Sequence, residues 1–477
     1  MSDFELFERL RESKSLYDYC IEKTTKLLAR GVWRKNSENP FLCFAPNIIE
    51  DLIAAASAPH CAAKLSDLKL LLQTGRFQEL ELSEFVMDEN RDLFPFYLSE
   101  GVCKNLKVLK ILQSLKRVDI EVILKYCINL EEFHSSMLVG FGAFKNCHKL
   151  RIWKVHLSNN DPYFLAYDTP DFPESLKNLE IFSVCNEYPC FLLYRKIAEV
   201  LENCPKLTSV GMGDSSVALK YLKEPESKVF NFKECHWGYN SEIVSENINS
   251  DPLVLLRNAV ISFPLVEQLN LVVSDDYNLR CLTNLKHLNC LNIKYTGYKE
   301  EFLSHLYSLL SGIGHQLRHL SVKATSYHVR VEDILLYCPN LETLQLDAFL
   351  SKPRNLNCGQ HRLKTLHLTK CNKKGLMLLL FNCKDLEDIF IHNASCLKDD
   401  LLELILDVNP LSNLKMISLE DCTLTEDGLR RLFQSAKSLQ LMQFCCGAFS
   451  PRFDYNEFVP NLTNEFNLKI MNYSCED

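Results

Sequence analysis

One short pattern, Leu-x-x-Leu-x-Leu, recurs along most of this 477-residue chain and limits its fold more than any other feature. The clearest copies begin at Leu106, Leu130, Leu150, Leu207, Val266, Leu317, Leu341, Leu363, Leu386, Leu414 and Leu439. Less regular copies end at Leu82, begin at Leu179 and Leu288, and occupy residues 229–234, where a degenerate strand would fill the widest gap. Successive copies lie about 20–29 residues apart, a period that indicates repeated structural units.

The chain between the copies has the pattern of short helices. Residues 119–127, 196–204, 302–312, 331–338, 375–383 and 428–438 place apolar side chains at i, i+3 and i+4. Each Leu-x-Leu core predicts a strand with its leucines facing inward. A helix–strand unit of this kind buries its apolar face only by stacking on its neighbours. We therefore expect an α/β leucine-rich-repeat solenoid, shaped as a horseshoe, over residues 66–477, after a small N-terminal helical domain at residues 1–65.

The 21 cysteines follow the repeat rather than a metal-site pattern. Six of them lie three residues before the first leucine of a copy: Cys103, Cys127, Cys147, Cys204, Cys338 and Cys383. Two more, Cys371 and Cys422, follow a strand by three residues, which is another packing position. No Cys-x-x-Cys spacing occurs, so zinc modules of that kind are not expected. Thiols that pack as small apolar groups are typical of a reducing compartment, which favours the cytosol or nucleus.

Charge and composition exclude several classes of function. A net charge of −8 provides no basic field for nucleic acid. No apolar run approaches the ~20 residues of a membrane span, and the charged N-terminus lacks a signal-peptide core. Glycine-rich phosphate loops and His-Glu-x-x-His are missing, and no catalytic triad can be distinguished from placement by the repeat. We expect neither catalysis nor a metal or other cofactor, and neither a nucleic-acid nor a membrane partner.

Three segments depart from the period. Residues 158–175, with three prolines and three aspartates, predict a loop, and residues 214–252 predict a long polar insertion. Residues from about 449 are expected to cap the last repeat. Insertions in solenoids often help to bind partners, although tolerated drift in a surface loop explains these two equally well.

The middle residue of each Leu-x-Leu is expected to point to the concave face. This row predicts a surface for a substrate protein, formed by Glu81, Lys110, His134, Lys154, Asn270, Asn292, Gln345, His367, Phe390 and Gln443. The same row contains Ser183, Gly211, Ser321 and Ser418. Its mixed polar character suits a protein or peptide. Phe390, between Asp388 and His392, is a candidate aromatic anchor, with a tolerated surface phenylalanine as the alternative.

Residues 1–65 do not follow the repeat and contain two helical patterns, at residues 15–28 and 44–57. In the first, Leu16, Cys20 and Thr24 share one helix face. Ser15-Leu16-x-x-x-Cys20 resembles the BC-box that docks on elongin C. The resemblance implies that Leu16 enters a hydrophobic pocket and that Cys20 packs against the adaptor. Thr24 departs from it, because that position is usually aliphatic.

The second pattern completes the resemblance. Ala45-Pro46-x-x-Ile49-x-x-x-Ile53 resembles the cullin box that follows a BC-box and selects cullin 2. Residues 417–432 resemble the cysteine-containing repeats common in ubiquitin-ligase receptors, and the order of the motifs resembles that of the Zyg-eleven family. The resemblance implies a substrate-recognition subunit of a ligase with cullin 2, elongin B and elongin C. That family usually has a C-terminal armadillo-like part, which recognises its degron. The strand pattern of this chain continues to Phe444 instead, so the resemblance implies nothing about the degron.

Two alternatives remain open. Residues 44–53 also resemble the opening of an F-box, which would make the chain a receptor for a cullin 1 ligase. However, the tryptophan that usually closes an F-box is missing between Ile53 and Leu80. In the other alternative, residues 1–65 only cap a protein-binding scaffold that has no connection with a ligase.

Overall fold

The computed structural model of the chain describes residues 15–33, 36, 38–57, 65–82, 98, 100–111, 116–157, 172–186, 191–223, 228–238, 252–275, 278–356, 359–445, 465–466 and 469–473. The chain divides into two compact units, Met1–Gly213 and Asp214–Asp477. The predicted N-terminal region, residues 1–65, falls within the first unit. Each unit contains one parallel sheet.

The first unit holds a five-stranded sheet whose strands follow chain order. Its strands are β1 (Glu79–Glu81), β2 (Val108–Ile111), β3 (Glu132–Ser135), β4 (Ile152–Leu157) and β5 (Ile181–Asn186). The fourth residues of the sequence pattern pair in register and are fully buried: Leu80, Leu109, Phe133, Trp153 and Phe182. Because the strands are parallel and in register, each apolar position stacks on its equivalent in the next repeat.

The second unit holds a ten-stranded parallel sheet, again in chain order. Its strands are β6 (Glu234–Trp237), β7 (Gln268–Val273), β8 (Cys290–Tyr295), β9 (His319–Val329), β10 (Thr343–Leu350), β11 (Thr365–Leu368), β12 (Asp388–Ile391), β13 (Met416–Leu419), β14 (Leu441–Cys445) and β15 (Lys469–Tyr473). Burial alternates along these strands as the Leu-x-Leu pattern predicts. Parallel strands in repeated units are consistent with a leucine-rich-repeat-like solenoid.

Helices lie between the strands, as the spacing of apolar residues predicts. Within the described residues they are α1 (Leu16–Ala29), α2 (Pro46–Ser57), α3 (Leu65–Leu72), α4 (Glu100–Cys103), α5 (Arg117–Leu124), α6 (Phe191–Asn203), α7 (Ser215–Ala218), α8 (Pro252–Ser262), α9 (Glu301–Ile313), α10 (Val331–Tyr337), α11 (Lys373–Asn382), α12 (Asp399–Val408) and α13 (Glu426–Ser435). Short 3-10 helices replace them in some repeats, as at Phe141–Phe144 and Leu279–Asn284. Polar side chains begin several helices: Asn372 Oδ1 accepts from Gly375 N at 2.9 Å at the start of α11.

Two sets of side chains join each repeat to the one before it. The six cysteines before the strands are all buried, at 3% exposure or less. An asparagine directly before the first leucine donates from Nδ2 to a backbone carbonyl of the preceding repeat at Asn105, Asn129, Asn178, Asn340 and Asn413. These bonds satisfy carbonyl groups at the turns that the strands leave without partners.

Two predicted strands are wrong. The copy at Leu207 forms only one isolated bridge, between Ser209 and Ile181, because Gly211 turns the chain with a φ of 57°. The copy at residues 229–234 is misplaced: residues 229–233 are not in a strand, and β6 begins at Glu234. Its inward positions are Cys235 and Trp237, both 1% exposed, so neither leucine of the pattern is present.

The predicted insertions are shorter than expected within the described residues. The first predicted insertion ends in a 3-10 helix, Glu174–Asn178, in which Leu176 is fully buried. Residues 158–171 lie outside the description. Within the second, α7 and β6 belong to the repeats, and residues 224–227 and 239–251 lie outside the description. In the predicted C-terminal cap, β15 adds a further strand beside β14. No helix in the described part of the chain is long and apolar enough to cross a membrane.

Candidate protein-binding surfaces

A capping box at its N-terminus and one buried face hold helix α1 in place. Ser15 Oγ accepts from Asp18 N at 3.1 Å, and Asp18 Oδ2 accepts from Ser15 N at 3.2 Å, which together form a capping box. On the inner face Thr25 and Leu28 are 1% and 2% exposed. Tyr17 Oη donates to Asp51 Oδ2 at 2.5 Å and ties α1 to α2, and this hydrogen bond raises the pKa of Tyr17.

The opposite face of α1 is open to solvent. Leu16 is 79% exposed, Tyr19 57% and Tyr17 44%, and Cys20 is also exposed. Thr24 is half-buried. We name Leu16, Tyr19 and Cys20 the adaptor face. Leu16 and Cys20 are not buried against the described residues of the repeats.

On helix α2, some residues of the cullin-box resemblance are exposed and others are buried. Pro46 is exposed, whereas Ile49 and Ile53 are 0% and 3% exposed. Those two isoleucines pack inside the first unit and have no surface for a partner in this structure. The exposed part of this segment lies at its start, where Leu42 is 50% exposed beside the exposed Cys43.

The middle residues of the strands form one row in each sheet, named here the central row. In the first sheet the predicted members pair in register: Glu81, Lys110, His134, Lys154 and Ser183. Within the second sheet the row runs through His236, Asn270, Asn292, Ser321, Gln345, His367, Phe390, Ser418, Gln443 and Met471. Sequence reasoning missed His236 and Met471, because their strands lack the leucine pattern; Gly211 is not in a strand.

Charged groups of the first central row are already paired with their neighbours. Lys110 Nζ lies 2.6 Å from Glu79 Oε1 and 3.4 Å from Glu81 Oε2, and the Glu79 hydrogen bond raises the pKa of Lys110. His134 Nε2 lies 2.5 Å from Glu132 Oε1, with Lys154 Nζ at 3.5 Å. Burial opposes ionisation of Glu132, but the hydrogen bond from His134 and both neighbouring cations lower its pKa overall.

Amide groups dominate the second central row. Asn292 Nδ2 donates to Asn270 Oδ1 at 2.7 Å, and Asn270 Nδ2 lies 3.3 Å from His236 Nε2. Burial is the main cause that lowers the pKa of His236, which favours its neutral form. The row continues through the partly exposed Ser321 and the exposed Gln345. This part of the row is therefore uncharged and consists of hydrogen-bonding groups.

An aromatic pair follows the amides. The rings of His367 and Phe390 stack with centroids 4.0 Å apart and an interplanar angle of 14°. Burial, then the charge of His392, lowers the pKa of His367, so that its ring is neutral beside Phe390. Phe390 is half-buried rather than fully exposed, because His367 covers part of it. Its uncovered part extends the neutral row with an apolar surface.

Among the described residues, no group of three or more His, Cys, Asp or Glu side chains is arranged to hold a metal ion. Burial raises the pKa of the repeat cysteines Cys147, Cys204 and Cys338 to about 12. Such thiols are neutral and act as small apolar groups rather than as nucleophiles.

No protein-family model matches the chain, and no curated protein matches it. One similar solved structure is a TLR13–ssRNA13 complex, with 14% identity and a TM-score of 0.36; the match covers 85% of this chain and 65% of that chain. Another is the complex of Rad7 and Elc1 in yeast, with 11% identity and a TM-score of 0.29, covering 96% of this chain and 98% of that chain. At these TM-scores neither likeness adds to the description of the fold.

Proposed function

We propose that this protein is a substrate-recognition subunit of a ubiquitin ligase, held by elongin C through the adaptor face of α1. One observation carries the proposal: Leu16, in the BC-box resemblance, is 79% exposed on a helix that other residues hold in place. Exposed large apolar groups that cluster together indicate a protein-binding surface. Tyr19 adds aromatic area, and Cys20 lies one helical turn from Leu16.

The cullin is assigned by resemblance. The cullin-box resemblance favours cullin 2, with contact through the exposed Pro46 and Leu42 rather than through the buried Ile49 and Ile53. In this role α2 is a rigid support, and the cullin contacts the residues at the start of the helix. Elongin B joins through elongin C.

The substrate protein is proposed to bind the second central row. Partner binding removes water, which costs more for charges than for amides and hydroxyls that find new hydrogen bonds. The first row holds Lys110, Glu132 and Lys154 in ion pairs. By contrast, Asn270, Asn292 and Gln345 present neutral donors and acceptors, and Phe390 beyond them offers an apolar anchor. A neutral, polar segment with one apolar side chain fits this row.

The protein would act by proximity and perform no bond chemistry itself. Holding a substrate near a ubiquitin-charged enzyme raises the effective concentration of its lysines. The reducing cytosol or nucleus is the proposed compartment, because none of the 15 cysteines in the described part of the chain is in a disulfide.

The test is binding of the full chain to purified elongin B–elongin C. Burying a leucine side chain contributes about 1.5–3 kcal/mol, so Leu16→Ser should weaken the complex about 10- to 150-fold. Adding Cys20→Phe should abolish measurable binding, because a bulky ring blocks close packing. The matched control is Leu336→Ser in α10, where the leucine is 70% exposed. Circular dichroism checks that all variants are folded.

Three outcomes separate the alternatives. Binding that is lost with Leu16→Ser and kept with Leu336→Ser supports the proposal. Capture of the cullin 1 adaptor instead transfers the chain to the F-box class. Binding of neither adaptor contradicts a ligase role and leaves a protein-binding scaffold.

A further inference from the structure

Two cysteines of the second unit are not explained by packing in the repeat. Cys371 follows β11 by three residues, and the equivalent positions after β12 and β13 are Ala394 and Cys422, at 0% and 1% exposure. Cys371 is instead half-buried, as is Cys396 in the next repeat. Their sulfur atoms lie 3.3 Å apart. At the equivalent positions a small, fully buried side chain fills the core. Because Cys371 and Cys396 are only half-buried, core packing does not explain either thiol.

The loops that carry the two thiols are already joined. Cys371 lies between β11 and α11, and Cys396 between β12 and α12. Asn393 Nδ2 donates to Thr369 O at 3.4 Å, and Cys371 Sγ lies 3.9 Å from Asn393 O. Asn393 has a φ of 52°, in the left-handed region. A disulfide sulfur pair is about 2.05 Å apart, so these atoms need to approach by about 1.3 Å.

We propose that Cys371 and Cys396 are a modification site: a dithiol that peroxide oxidises to an intramolecular disulfide between neighbouring repeats. The two thiols differ in a way that suits this reaction. The hydrogen bond from Cys371 is the main cause that lowers the pKa of Cys396, and the charge of Lys373 acts in the same direction. The pKa of Cys371 is raised by the same hydrogen bond. Because the charge of Lys373 favours the Cys396 thiolate, we assign Cys396 as the first nucleophile and Cys371 as the resolving thiol.

The chemistry balances with hydrogen peroxide as the oxidant. The Cys396 thiolate attacks one peroxide oxygen, the O–O bond breaks, and the departing hydroxide takes a proton and leaves as water. The product is a sulfenic acid on Cys396. Cys371 then attacks the Cys396 sulfur, the S–S bond forms as the S–O bond breaks, and hydroxide leaves with the Cys371 proton as a second water. Two thiols and one peroxide become one disulfide and two waters.

A second thiol pair provides an internal control. Cys103 and Cys127 in the first unit are also neighbouring thiols, and Cys103 raises the pKa of Cys127. Both are 0% exposed, and they donate to the backbone carbonyls of Leu98 and Ile123. Because peroxide cannot reach them in the folded chain, they should not be oxidised; the proposal requires contact between sulfur atoms together with exposure.

The experiment treats the full folded chain with hydrogen peroxide, alkylates the remaining thiols and digests with trypsin. Trypsin separates the two cysteines into peptides 371–373 and 385–398. We expect one cross-linked species, lighter than the two peptides by two hydrogens and cleaved by dithiothreitol. In Cys371→Ser, dimedone should trap a sulfenic acid on Cys396. Cys103 and Cys127 should remain alkylatable after denaturation.

Independent oxidation of the two peptides without a cross-link overturns the proposal, as does full alkylation of both after peroxide. A dimedone adduct on Cys371 in Cys396→Ser, with none on Cys396 in Cys371→Ser, overturns the assignment of the nucleophile. Because the cross-link is measured in the unmodified sequence without any partner, its outcome does not depend on adaptor binding.

Discussion

Asp214 lies at the start of α7, and its carboxylate is buried. The two oxygens of this carboxylate differ in their hydrogen bonds. Oδ1 accepts from Ser216 N at 2.9 Å, from Ser216 Oγ at 2.6 Å and from Val217 N at 3.2 Å. Oδ2 is buried without a hydrogen-bond partner among the described residues. Burial raises the pKa of Asp214 from 3.8 to about 6, and the three hydrogen bonds only partly oppose this shift.

A raised pKa makes the folded state bind a proton more tightly than the unfolded state. The resulting stabilisation is fully present below the unfolded pKa near 3.8 and is lost as the pH rises through about 6. At 1.36 kcal/mol for each tenfold change, ionisation costs the folded state about 3 kcal/mol at pH 8. Asp214→Asn keeps the acceptor for α7 and cannot ionise. Its free energy of unfolding, relative to the parent, should therefore rise by about 2–3 kcal/mol between pH 4 and pH 8.

Urea unfolding at pH 4, 6 and 8 measures this difference. Trp237 Nε1 donates to Ser215 Oγ at 2.9 Å, so Trp237 fluorescence reports on this region when the other two tryptophans are replaced by phenylalanine. Asp427→Asn, at an exposed position in the first turn of α13, is the control and should show no such trend. A difference between Asp214→Asn and the parent that stays constant with pH, or falls as the pH rises, refutes the reasoning.

Three pairs of substitutions test the packing between repeats, each by urea unfolding. Asn409, 2% exposed, donates to Leu380 O and Cys383 O, so Asn409→Ala should cost about 2–4 kcal/mol, whereas Asn413→Ala should cost under about 0.5 kcal/mol. A Cβ on Gly211, where φ is 57°, would lie 2.1 Å from Ser183 Oγ, so Gly211→Ala should cost more than Gly359→Ala, whose Cβ meets nothing within 4 Å; equal costs contradict this. Trp153 Nε1 is buried and has no hydrogen-bond partner in the described part of the chain, so Trp153→Phe should cost under about 1.5 kcal/mol and Phe133→Ala about 3–5 kcal/mol.

The strands were predictable where leucine occupies at least one of the three apolar positions of a copy, because one residue type at a fixed period is visible without an alignment. Strand β6 escaped because Phe232, Cys235 and Trp237 fill those positions; they bury apolar surface equally well but are not leucine. The predicted strand at Leu207 was wrong for a different reason: Gly211 has a left-handed backbone conformation, which the leucine pattern does not predict. The stack of His367 on Phe390 also depends on register between strands, which a single strand does not reveal.

The adaptor face shows why sequence pattern alone left the role of α1 open. At about 100° per residue, Cys20 lies about 40° from Leu16 around the helix, whereas Leu28 and Thr25 lie about 120° and 180° away. Leu27 lies about 20° from Leu16, so each face contains leucine; periodicity therefore predicts two apolar faces and cannot decide which one packs on the chain. Tertiary contacts decide: Thr25 and Leu28 are buried, and Leu16 is 79% exposed. Thr25, Leu28 and the capping box hold α1, so the exposed Leu16 is free to contact a protein partner, as the proposed function requires.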